Sequence, residues 1–170
     1  MSPMRIYLVA YDSTWVDGFK IESAGLARLL GPWRRGSIEH IGSTAVPGLC
    51  AKPVIDLMVG VSSLTASLPA KQVLADAGYQ YSAYRADVMH WFCKPSFAFR
   101  THHIHLVPFE SDLWLQRLAF RDALRTESGL AIEYAALKQE LARTFEFDRE
   151  AYTAAKAPFV ARVLKLAGAD

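Results

Sequence analysis

The hydrophobic period of the chain changes at Pro108. Before that residue, apolar side chains come in short runs bounded by glycine or proline, the signature of strands. Beyond it they recur every three or four positions, the signature of helix faces. The two periods predict an α+β fold: a mixed β-sheet with flanking helices over residues 1–109 and a C-terminal helical segment over residues 110–170. A chain of 170 residues suits one domain in which both parts pack as a unit.

The runs at 37–41, 54–61, 79–84, 88–94 and 103–107 read as strands, and 5–11 as a short strand or extended arm. Asp12, Ser13 or Thr14 caps a helix with Trp15, Phe19, Leu26, Leu29 and Leu30 on its apolar face, and Gly31-Pro32 ends it. A second helix is expected over 64–77, closed by Gly78. Past Pro108, helices are expected over 111–126, 130–146 and 149–167.

Composition removes several classes of function. Hydrophobic residues make up 52% of the chain and charged residues 21%, which fits a packed core and not a disordered chain. The formal net charge is +2, and residues 121–170 hold eight Lys/Arg against eight Asp/Glu, so no basic tail is available to coat a nucleic acid. Nucleic acid is therefore not an expected partner. No apolar run reaches the roughly 20 residues of a membrane span, and the N-terminus lacks the pattern of a signal peptide. Cys50 and Cys93 stand in no metal-ligand or redox spacing, as expected for reduced thiols in a cytoplasmic protein.

Candidate chemistry gathers at IEHIGSTAVPGLCAKPVID, residues 38–56. A glycine lets the backbone approach a ligand, successive N–H groups can cradle a phosphate, and the hydroxyls of Ser43 and Thr44 can donate to it. A bare Gly-Ser-Thr is also an ordinary turn. Asp56 lies inside VIDLMVGV, where a charge is costly unless it is paired or holds a metal. Alternation would place a second carboxylate at position 58, but that residue is Met58. His103 and His105 share one face of a strand and can ligate a transition metal, with His40 as a further partner; two neutral hydrogen-bonded rings are the plainer alternative. Three pairs at i, i+4 spacing, Arg121/Arg125, Tyr134/Lys138 and Tyr152/Lys156, each lie on one helix face. They either form a solvated rim or point back at the glycine turn as cations for a polyphosphate.

The segments VAYDSTW (9–15), EHIGSTAVPGLCAKPVIDLMV (39–59), HHIHLVPF (102–109), FRDALR (120–125), EYAALKQELA (133–142) and YTAAKAPFV (152–160) resemble the GrpB family of the nucleotidyltransferase-fold superfamily. The resemblance covers nearly the whole chain. It implies that Gly42 and Ser43 match the triphosphate-binding turn of catalytic nucleotidyltransferases, and that Asp56 matches the first acid of their metal-binding pair. Met58 departs from the second acid, and His103 and His105 stand where a third would be expected.

Two functions follow as expectations. The first is a nucleotidyltransferase-like protein binding a nucleotide or related phosphate-containing small molecule. In it His40, Gly42, Ser43, Thr44, Lys52, Arg121, Lys138, Tyr152 and Lys156 contact phosphate, and Asp56 and His105 are catalytic. Asp56, His103 and His105 would hold a divalent metal, Mg²⁺ or Mn²⁺ before Zn²⁺. The second is a non-catalytic module binding a nucleotide or a coenzyme A-like ligand over a degenerate metal site.

Overall fold

A computed structural model describes residues 5–169. Its elements in chain order are α1 (Thr14–Leu29), β1 (Arg34–Ile41), β2 (Ile55–Val61), α2 (Ala70–Asp76), β3 (Gln80–Ser82), β4 (His90–Pro95) and β5 (Arg100–Pro108). Four helices follow: α3 (Asp112–Thr126), α4 (Ser128–Thr144), α5 (Arg149–Ala154) and α6 (Ala157–Leu166). This is the α+β architecture expected, a five-stranded mixed sheet with helices around it.

The strand order is β1-β2-β5-β4-β3, with β2 and β5 parallel and every other neighbouring pair antiparallel. The central strands are buried on both faces, as their near-continuous apolar runs require. One face packs Leu57, Val59, Phe92, Ile104 and Leu106 against Trp15 and Leu26 of α1 and Leu74 of α2. The other packs Ile41, Met58, Trp91 and Val107 against Trp114 of α3. A third cluster joins Val46 and Leu49, in the link before β2, to Leu124, Tyr134, Phe159 and Val163 of the C-terminal helices. The Tyr134 and Phe159 rings stack there at 4.9 Å between centroids.

Two helix boundaries differ from the sequence expectation, each for a local reason. The helix expected over 64–77 begins only at Ala70. Ser63 and Ser67 hydrogen-bond the backbone of 63–66 through their hydroxyls, which favours turns over helix. The helix expected over 149–167 breaks into α5 and α6. Pro158 sits in the first turn of α6, and with no N–H it cannot bond the carbonyl of residue 154 that a continuous helix would offer. Residues 5–11 form an extended arm with a single bridge, Val9 to Ala51, and Ile6 N–H donates to the Glu146 carbonyl at 2.7 Å. Among the described residues no helix is long and apolar enough to cross a membrane.

Candidate functional site

The register of the sheet assembles the site. Antiparallel pairing sets Ile41 opposite Asp56, so the chain leaving β1 turns directly over that carboxylate. Gly42 makes the turn at φ +73°, ψ −173°. A Cβ at this position would stand 2.5 Å from Asp56 Oδ2, so both the dihedrals and the space demand glycine. On the other side of β2, parallel pairing sets His103 opposite Asp56 and His105 opposite Met58.

Asp56 Oδ1 accepts from His103 Nδ1 at 3.0 Å and from His105 Nε2 at 3.2 Å. Burial opposes ionisation, but the bonds from the two histidines outweigh it and hold the carboxyl far below the usual carboxylate range. The donor roles follow from a residue that the sequence reading passed over. Arg117 of α3 donates from Nη1 to His105 Nδ1 at 2.7 Å. A guanidinium has no lone pair to offer, so His105 Nδ1 is the acceptor and its proton sits on Nε2, facing Asp56. Burial, reinforced by Arg117, lowers His105 to about 3, which keeps its ring neutral. Burial lowers Arg117 to about 10, still charged at neutral pH. A sequence signal for it existed: Arg117, Arg121 and Arg125 continue one i, i+4 series, and Arg117 interrupts an apolar run.

Cations from three separate segments close over the opposite side. Lys138 of α4 is 2% exposed. Its Nζ donates to Ser43 Oγ at 2.9 Å and to the Cys50 carbonyl, and lies 4.9 Å from the centre of the Tyr134 ring. Lys52, from the link into β2, and Lys156, at the start of α6, both stand over the Tyr152 ring, at 5.1 and 4.4 Å. The break at Pro158 thus places Lys156 at a helix start beside Tyr152. Burial lowers Lys138 to about 8, and burial together with Lys52 and Lys138 lowers Lys156 to about 7. Burial also lowers Lys52, against the pull of Asp56. Among the described residues neither Lys52 nor Lys156 has a salt bridge to a carboxylate. Lys52, Lys156 and Arg117 thus feel the pull of the ionised Asp56 without any of them pairing with it.

Other expected contacts are placed elsewhere. His40 is buried, stacks on Phe19 at 4.7 Å, and bonds the Thr44 hydroxyl at 3.0 Å. Burial lowers it to about 4, which makes it a neutral strut. Thr44 is 1% exposed and its hydroxyl also faces the Val54 carbonyl, so it holds the turn and does not face a ligand. Arg121 is engaged by Glu39 at 2.8 Å, by Asp122 at 2.7 Å and by the His40 carbonyl at 3.1 Å. It clamps α3 to β1 and has no free edge for a phosphate. Of the expected set, Gly42, Ser43, Lys52, Asp56, His103, His105, Lys138, Tyr152 and Lys156 converge.

The metal expected from the fold can be tested against this donor set. Asp56, His103 and His105 offer one ligand atom each within 4.8 Å of one another, the set the family resemblance implied. Mg²⁺ demands oxygen ligands in near-octahedral order, and here there is one carboxylate and a fully buried Met58 where a second would stand. Two imidazoles and a carboxylate suit a softer transition metal. A metal-bound imidazole gives its other N–H to an acceptor, whereas His105 Nδ1 faces the donor Arg117. The residues as arranged form a hydrogen-bonded Arg–His–Asp relay, and they do not fit Mg²⁺.

Comparison with known proteins places the family and the fold. A family model described as GrpB protein matches residues 5–166. A protein of Deinococcus radiodurans described as a UPF0157 protein is 45% identical over 129 residues, 76% of this chain and 66% of its own length. A second UPF0157 protein, from Pseudomonas aeruginosa, is 38% identical over 94% of this chain and 66% of its own. The chain thus spans slightly under two thirds of those two relatives. The glutamate-rich protein GrpB of Alkalihalophilus pseudofirmus is 33% identical over 94% of both chains. The crystal structure of the conserved protein GrpB from Enterococcus faecalis superposes with a TM-score of 0.85 at 31% identity, covering 95% of this chain and 96% of that one. The Cid1 poly(U) polymerase bound to MgATP superposes with a TM-score of 0.55 at 15% identity, covering 79% of this chain and 44% of the polymerase, a likeness of fold alone. With a family match running almost end to end and a superposition of the same extent, the chain belongs to the GrpB family.

Proposed function

We propose that the chain binds the phosphate groups of a small molecule, a nucleotide in the reading the fold favours, and that it does so as a binding module without a divalent metal. One observation carries the reading: Lys52, Lys138 and Lys156 are brought from three segments to one half-buried place, where each is disfavoured by burial and Lys156 by the other two. A bound phosphate relieves both costs, because it supplies the missing negative charge and the missing hydrogen-bond acceptors. Ser43, which already accepts from Lys138, would complete the seat.

The two groups expected to be catalytic are poorly suited to proton transfer. A general base works best with a pKa near the working pH. Asp56 is held far below that range, and the one bare nitrogen of His105 is covered by Arg117. Asp56, already accepting from His103 and His105, is better placed to favour the charged forms of Lys52 and Lys156 than to accept a proton from a substrate.

Calorimetric titration with ATP in EDTA tests this. Lys138→Met and Lys156→Met should each weaken binding by about 10- to 150-fold, the worth of roughly 1.5–3 kcal/mol for a hydrogen bond to a charged group. Unchanged affinity in both variants would reject the lysine seat.

A second reading rests on the convergence of Asp56, His103 and His105. If Arg117 releases His105, these residues would hold a transition metal, which would supply Lewis-acid stabilisation for phosphoryl transfer. A transferred nucleotidyl group found after prolonged incubation with Mn²⁺ would establish that reading and reject the first.

A further inference from the structure

Beside the lysine seat lies a cleft of about 40 Å³, with Lys52, Arg100 and Arg149 in its wall. Each cation comes from a different segment: the link into β2, the head of β5 and the head of α5. Pro53, Val54 and the half-exposed Phe99 supply an apolar side. Arg100 Nε donates to the Phe97 carbonyl at 3.0 Å, and the guanidinium lies 5.2 Å from the centre of the Trp91 ring, so its direction is fixed while its outer N–H groups are left over. Among the described residues neither Arg100 nor Arg149 has a carboxylate partner. Arg5, at the rim, is paired with Glu146. The chain has nearly as many acids as bases, 17 against 19, so three unneutralised cations around one cleft do not simply reflect a basic surface.

We propose that this cleft is a second anion subsite that takes a phosphoryl group separate from the one held by Lys138 and Lys156, with Lys52 between the two. The volume suits such a group: it would hold about three waters by probe-occupied volume, roughly what the oxygens of a phosphoryl group displace. Two guanidinium groups, that of Arg100 fixed in direction, match phosphate oxygens in pairs, as a lysine cannot. The inference extends the proposed function, because a ligand system with two separated phosphoryl groups is a narrower class than a nucleotide. Either one molecule carries both groups, or the second belongs to another molecule.

Calorimetric titration with inorganic pyrophosphate counts the sites. Two sites per chain are expected in the wild type. Arg100→Gln with Arg149→Gln should remove one, or weaken it at least about tenfold, while Lys138→Met with Lys156→Met removes the other. Arg149→Gln alone, at the solvent-facing start of α5, gives the same reading with less risk to folding. A single site lost only in the lysine variant would overturn the inference and leave the proposed function standing. A single site lost only in the arginine variant would do the reverse. Two sites that ignore the arginine changes would also overturn it. Saturation with ATP separates the sources: a pyrophosphate site that persists means that the second group comes from another molecule, and none left means that one nucleotide spans both, each outcome requiring the cleft.

Discussion

Gly42→Ala is the substitution with the largest consequence for its size. At φ +73°, ψ −173° the backbone lies in a region reached almost only by glycine, and an alanine there costs about 1–3 kcal/mol. The added methyl would stand 2.5 Å from Asp56 Oδ2, so the carboxylate must swing away. Swinging it breaks at least one of the bonds from His103 and His105, and a hydrogen bond to a charged group is worth about 1.5–3 kcal/mol. The two effects together predict a loss of about 2.5–6 kcal/mol, a large part of a typical 5–15. With a urea slope of about 2 kcal/mol per molar, the unfolding midpoint should fall by about 1.2–3 M. Gly48→Ala is the control. It has a similar φ of +78° but nothing within 4 Å of the added carbon, so it should lose only about 1–2 kcal/mol. Equal midpoints for the two variants would refute the claim that the glycine turn is packed on Asp56.

Other expectations follow from the same contacts. Nitrogen NMR of His105 should show a bare Nδ1 and a protonated Nε2, and Arg117→Met should lose that preference; a protonated Nδ1 in the wild type would refute the relay. Lys156 and Lys138 have folded-state values of about 7 and 8, below the usual lysine range, so the unfolded chain holds more protons between those values and 10.5. Stability should therefore rise from pH 7 to pH 9, and the melting-temperature gain from ATP should be larger at pH 6.5 than at pH 9, because bound phosphate favours the protonated lysines; a gain that grows with pH would contradict this. Arg121→Met should cost about 2 kcal/mol by stranding Glu39, yet leave ATP affinity within about twofold of wild type by calorimetry. A large affinity loss would return Arg121 to the site.

The fold was legible because its period changes cleanly at Pro108 and because its strands are short apolar runs with clear breaks. The misread boundaries depended on side-chain bonds and a single proline: the Ser63 and Ser67 hydroxyls, and Pro158, whose break puts Lys156 at a helix start. Within the site, spacing put His103 and His105 on one strand face and flagged the Tyr134/Lys138 and Tyr152/Lys156 pairs, while the family resemblance set Asp56 beside the two histidines. Spacing does not show which of two equivalent pairs is already satisfied. Arg121 and Lys138 both sit on helix faces, and only packing reveals that Arg121 meets Glu39 and Asp122 while Lys138 meets Ser43. Arg117 was missed for the related reason that its partner, His105, is a neighbour across the fold and not along the chain.

The central claim is that lysines hold the phosphate ligand and a divalent metal is not needed. Melting temperatures measured with ATP in EDTA, and again with Mg²⁺ or Mn²⁺, test it most directly. A ligand at about 100 times its dissociation constant adds roughly 2.7 kcal/mol. For a chain of this size that should raise the melting temperature by about 5–10 °C. The account predicts that rise in EDTA, little changed by either metal. A rise that appears only when metal and nucleotide are both present would contradict it.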